Sequence, residues 1–142
     1  MTTFTFVPFD GPSPLRFGMT PEEVAALVGD PERVFPDPFG NRSESRAGYS
    51  LGYDAKSGQL AEAVFSKGEL LFHGVNLFAI ANVIDFLRKY DASPQMAVGM
   101  IFFVKLGLRL SGFHDGDESQ KAIGVTARGH WDEFLEDFVP FE

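Results

Sequence analysis

Short apolar runs closed by turn residues fill this chain, and only two stretches carry a helical period. Fifteen glycines and nine prolines cut its 142 residues into pieces too short for long helices. The first helix is marked at Thr20-Pro21-Glu22-Glu23-Val24. Thr20 can cap it, Pro21 suits its first position, and Glu23 completes a capping box while Glu22 adds charge at the positive end of the dipole. Val24, Leu27 and Val28 form its apolar stripe, and Gly29-Asp30-Pro31 ends it after about two turns. The second helix is predicted over Leu77 to Tyr90, with Leu77, Ile80, Ala81, Ile84 and Leu87 on one face.

The remaining periodic segments are strand-length. Phe4-Thr5-Phe6 alternates, and Gly48–Tyr53, Leu60–Ser66 and Glu69–Phe72 follow the first helix, separated by Ser57-Gly58 and Lys67-Gly68 as hairpin punctuation. Residues 35–46, rich in Pro, Asp, Gly, Ser and Arg, read as a loop. Met100–Val104, Leu106–Leu110, Ile123–Ala127 and a shorter piece near Trp131 follow the second helix. This order predicts an α+β fold, a single domain over residues 1–142, with an antiparallel sheet of about six to eight strands and both helices on one face. It also suggests a tandem unit of helix plus three strands, with halves at 15–75 and 76–138. Val24 aligns with Val83, Leu51-Gly52 with Leu106-Gly107, and Val64 with Val125, at offsets of 59, 55 and 61 that drift by six residues.

Charge narrows the function classes. Lys and Arg total 12 against 20 Asp and Glu, a net charge of −8. Nucleic acids and anionic membranes select positive surfaces, so neither is an expected partner. The acidity is local: positions 115–142 hold eight acids and two bases, or −6, whereas positions 1–114 carry only −2. Without cysteine there are no disulfides, thiolate metal sites or thiol nucleophiles. The amino-terminal residues MTTFTFVPFD lack a signal-peptide pattern, and no window is apolar enough to span a bilayer, so a cytoplasmic protein is expected.

Catalytic motifs are missing as well. Neither a phosphate-binding G-x-x-x-x-G-K nor G-x-G-x-x-G occurs, nor a G-x-S-x-G nucleophile elbow. The three histidines, 73, 114 and 130, are scattered, and His73 reads as a strand-end residue satisfied by backbone. The run His114-Asp115-Gly116-Asp117-Glu118 offers oxygen ligands but not the EF-hand spacing, and reads as a solvated turn. No cofactor, metal or enzymatic activity is expected. Most of the sixteen phenylalanines should fill a dry core, with Phe35, Phe39, Phe138 and Phe141 as exceptions in polar surroundings.

The segment Phe17-Gly18-Met19-Thr20-Pro21-Glu22-Glu23-Val24, with Leu27, Gly29 and Pro31 after it, resembles the repeat unit of beta-lactamase inhibitory protein-like folds. It is similar also to a segment of the small outer-membrane lipoprotein A family, although the lipobox cysteine of a lipoprotein is missing. The resemblance implies a short helix paired with an antiparallel sheet, in tandem. In size, acidity and architecture the chain also resembles the immunity proteins of bacterial polymorphic-toxin loci. That likeness implies a non-enzymatic binding protein that caps a basic toxin. The expected contact residues are Asp115, Asp117, Glu118, Trp131, Asp132, Glu133, Glu136 and Asp137, with Phe39 from the 35–46 segment. Trp131, Phe134, Leu135 and Phe138 are also spaced to form an amphipathic turn docked on the body. The alternative function is a small-molecule-binding domain with a Phe-lined pocket between helix and sheet.

Overall fold

The computed structural model describes residues 3–36, 38, 40–112, 121–131 and 136–141. Their architecture is α+β, mostly strand, with two short helices and predominantly antiparallel pairing. A nine-stranded antiparallel sheet dominates. Its first half is built from β3 (Arg33–Pro36), β4 (Arg42–Arg46), β5 (Tyr49–Tyr53) and β6 (Leu60–Phe65), each paired with the next. The second half is β9 (Gln95–Ala97), β10 (Met100–Phe103), β11 (Leu108–Ser111) and β12 (Ala122–Thr126), again in consecutive pairs. The two meanders join through antiparallel pairing of their last strands, β6 and β12, in the register Phe65–Ile123 and Ala63–Val125. A two-residue strand, β13 (Val139–Pro140), borders β9. The sheet is thus one strand wider than the expected six to eight.

Each meander is preceded by a helix, α1 (Pro21–Val28) before β3 and α2 (Val83–Arg88) before β9. One spacing relates the starts of the helices, Pro21 and Val83, of the first strands, Arg33 and Gln95, and of the last strands, Leu60 and Ala122. The two middle strands of the second meander begin slightly early on that spacing. The helix caps keep it. Thr20 accepts from the Glu23 amide at 3.3 Å, and Glu23 accepts from the Thr20 amide at 3.0 Å. At α2, Asn82 accepts from the Asp85 amide at 3.1 Å, and the Asn82 side-chain amide donates to Asp85 at 2.9 Å. Buried Leu15 and Leu77 match at the same spacing. Val24 therefore corresponds to Phe86, also buried, and not to Val83 as the apolar pattern suggests.

The second helix is six residues rather than the predicted fourteen. Asn76 explains the loss, since its side chain accepts from the amides of Leu70 and Phe78 and folds 77–81 into turns. Within 35–46, likewise, Phe35, Pro36 and Arg42–Arg46 are strand and not loop. They belong to a β3–β4 hairpin whose second strand, Arg-Ser-Glu-Ser-Arg, turns charged side chains inward.

A smaller sheet of β1 (Thr3–Val7), β2 (Gly11–Ser13), β7 (Glu69–Phe72) and β8 (Val75–Asn76) lies in the order β2-β1-β7-β8, with β1 and β7 parallel. Lys67-Gly68 therefore carries the chain from one sheet to the other and does not close a hairpin. One core joins these parts. Phe4 and Phe6 of β1, Val24 of α1, Phe86 and Leu87 of α2, and Leu51, Phe65, Ile101 and Leu110 of the large sheet belong to a single buried cluster. Burying side chains of this size stabilises by roughly 1.5–3 kcal/mol each, which offsets the ordering entropy of two marginal helices.

Candidate functional site

The acidic carboxyl-terminal end is described in part. Glu136 and Asp137 are exposed on a single 3₁₀ turn just before β13. Two described residues of this end, Trp131 and Phe138, are seated on the sheet face opposite the core. There the Phe102 ring meets Trp131 edge-on at 4.8 Å and Phe138 at 4.6 Å. Trp131 is only 8% exposed. Its ring packs against Phe102 and leaves little surface exposed. Asp115, Asp117, Glu118, Asp132, Glu133 and Phe39 lie outside the described residues, as does the 114–118 run.

The remaining expected surface, the 35–46 segment, forms the far edge of the same sheet. β3 and β13 are its two terminal strands, so eight strand spacings, roughly 38 Å along the sheet at about 4.8 Å each, separate them. Phe35 is 38% exposed there, under the Arg33 guanidinium at 5.5 Å. The described strands of the 35–46 segment and the carboxyl-terminal β13 thus lie at opposite edges of the large sheet.

Sequence reading missed an ionic cluster on β4. Arg42, Glu44 and Arg46 alternate, and the register sets them beside Tyr53, Leu51 and Tyr49 on the inner face. Glu44 is 1% exposed. Its Oε1 accepts from Arg46 Nη2 at 2.9 Å and from the Tyr53 hydroxyl at 3.0 Å, and its Oε2 accepts from Arg42 Nη2 at 2.8 Å. Arg46 Nη1 also donates to the Gly29 carbonyl at 2.7 Å, tying β4 to the end of α1. Burial acts to raise the Glu44 pKa, but the hydrogen bonds from Arg42, Arg46 and Tyr53 outweigh it and hold the carboxyl below its usual range. Burial, and then the Glu44 charge, push the Tyr53 phenol far up. The Nε of Arg46 is buried without a partner. The strictly alternating charge in Arg-Ser-Glu-Ser-Arg was the available signal for a strand.

Two cavities open beside these elements. One, of about 420 Å³, reaches Arg46 and Tyr49 from the side of Phe4 and Phe65. The other, of about 440 Å³, lies between the small sheet and the end of α2 and is lined by Phe6, Phe72, His73, Tyr90 and Leu106. His73 is exposed in the left-handed region at φ 51° and stacks on Tyr90, with ring centroids 4.4 Å apart and planes within 6°. Its arrangement is thus a ring stack at the cavity mouth.

On the outer face of the large sheet, Arg109 of β11 crosses over Gly124 of β12 to donate to Glu62 of β6 at 3.1 Å. His130 Nε2 lies 4.0 Å from the same carboxylate. Among the described residues, no three His, Cys, Asp or Glu side chains gather to hold a metal ion, and no helix is long and apolar enough to cross a membrane. Comparison with protein-family models, with curated proteins and with solved structures gave no match.

Proposed function

We propose that this protein is a non-enzymatic binding module of the cytoplasm whose acidic carboxyl-terminal end caps a basic protein, as an immunity or inhibitor protein caps its toxin. The observation that carries the reading is the concentration of charge: −6 over positions 115–142 against −2 over positions 1–114. A local negative field of this kind accelerates encounter with a cationic surface and can fill a cationic groove. The Phe102–Trp131–Phe138 cluster supports the reading in a second way, because it anchors Phe138 beside Glu136 and Asp137, which stay in solvent. Side chains already held by packing lose less entropy on binding. In the same reading both helices back the core face, supported by their shared membership of one buried cluster, and leave the opposite face for the partner.

The test is affinity capture from native lysate with the intact protein and with its Glu136→Lys/Asp137→Lys variant. The reading expects one dominant basic protein, bound at low salt, depleted on the variant and inhibited in its own activity by the intact protein. Equal capture by both forms, or no basic partner, removes it.

A second reading, a small-molecule-binding domain, is favoured by the cavity of about 440 Å³ between the small sheet and α2. Its aromatic lining suits a flat apolar ligand. A thermal-melting screen with aromatic hydrocarbons and indoles tests it through loss of any shift in Tyr90→Ala.

A further inference from the structure

A separate feature lies at the junction of α1, the β4–β5 turn and the link between the two sheets. The cavity of about 420 Å³ there has an aromatic floor of Phe4, Tyr49 and Phe65. Its size falls within the roughly 300–1,000 Å³ of small-molecule sites. Phe4 meets Tyr49 at 5.0 Å and Phe65 at 5.2 Å, while Tyr49 and Phe65 stack at 5.6 Å, so the three rings pack against one another. Charge of both signs surrounds it. Asp30, Glu32 and Glu69 are exposed lining residues, as is Lys67. Arg46 forms part of the wall, with its side chain 4% exposed.

Arg46 has an unusual electrostatic position. Two guanidiniums, Arg42 and Arg46, share the single carboxylate of Glu44, so the triad carries a net charge of +1. Arg46 and Glu44 are the buried pair, and the surplus charge belongs to Arg42, 43% exposed; the Arg46 Nε has no hydrogen-bond partner. The net positive triad behind the wall and Lys67 on the rim favour an anion on that side of the cavity. The acidic residues on the rim favour a cation. An aromatic floor favours an apolar body between them.

We infer that this cavity binds a small zwitterion with an apolar body, that is, a hydrophobic α-amino acid. Its carboxylate lies toward Arg46 and Lys67, its ammonium toward Asp30, Glu32 and Glu69, and its side chain on the Phe4–Tyr49–Phe65 floor. The site is distinct from the acidic carboxyl-terminal end and does not depend on the reading given to that end.

The test is an amide-resolved NMR titration of the full chain with L-phenylalanine, 3-phenylpropionate and 2-phenylethylamine. L-phenylalanine is expected to shift the amides of Ala47, Tyr49, Gly68 and Glu69 saturably. Each analogue lacking one charge should bind at least about tenfold more weakly, the equivalent of one lost charge-assisted contact. In Asp30→Asn/Glu69→Gln, whose substituted side chains are exposed, L-phenylalanine should lose its advantage over 3-phenylpropionate. Lys67→Ala should erode its advantage over 2-phenylethylamine. No saturable shift up to about 10 mM, shifts centred on Phe72, His73 and Tyr90, or equal affinity for the three probes would each overturn the assignment.

Discussion

Arg46 reaches Glu44 at 2.9 Å inside the fold, with the two side chains 4% and 1% exposed. They sit two residues apart on one strand, so the pair fixes the face that β4 turns to the core. Removing one member of a buried pair leaves an unmatched charge, which typically costs about 3–5 kcal/mol. Glu44→Ala is therefore expected to lower unfolding free energy by about that much in urea denaturation. Arg46→Met combined with Glu44→Leu should cost less than Glu44→Ala alone, since no charge is then stranded. Equal losses in the two proteins contradict the account.

The same carboxylate sets an acid limit. The folded pKa of Glu44 is depressed, so its stabilising contribution is present above the ordinary carboxylate range and is lost as pH falls through the folded value. Stability of the natural protein should decline as pH drops below about 4.5, and Glu44→Gln should flatten that decline. Urea midpoints measured from neutral pH downward check the difference in slope.

Tyr53 gives the opposite limb. Burial and the neighbouring Glu44 raise its folded pKa, so the unfolded chain ionises first, and stability falls as pH rises above about 10. Tyr53→Phe removes this alkaline contribution. Tyrosinate absorbance should show Tyr53, with Tyr49 also raised by burial, ionising only as the protein unfolds.

Gly124 lies beneath the Arg109 side chain, and a Cβ at that position would meet Arg109 Nε at 2.8 Å. Gly124→Ala should displace Arg109 from Glu62 and cost about 1 kcal/mol, the order of a partly exposed ion pair. In an Arg109→Ala background the same substitution should cost nothing measurable. This double-mutant cycle by thermal melting isolates the crossing from any backbone effect of the glycine.

Thr20→Ala and Asn82→Ala should each lose about 1 kcal/mol, because each deletes the cap at the start of a helix too short to stand alone. Urea denaturation of the two variants checks the structural equivalence of the two caps. A loss at one position alone contradicts it.

The sequence made some of this legible and hid the rest for identifiable reasons. The first helix was readable to the residue because Thr20, Pro21 and Glu23 act locally. The second was overextended because Leu77, Ile80 and Ala81 keep a helical spacing within turns that Asn76 organises. β4 escaped because burial normally shows as apolar alternation, and here the inward residues are Arg42, Glu44 and Arg46. The repeated order was visible, but its register was not. Apolar residues recur too often to align, whereas the caps Thr20 and Asn82 share the spacing of the helices they start. At the carboxyl-terminal end the charge was legible, while the burial of Trp131 depends on Phe102, which lies far earlier in the chain.

The central claim, that the acidic end steers a basic protein onto this one, is tested most directly by association kinetics with the captured partner. The account predicts an on-rate for the intact protein that falls steeply with added salt, and one about tenfold or more lower at low salt for Glu136→Lys/Asp137→Lys. An on-rate that is insensitive to salt and the same for both proteins would contradict it.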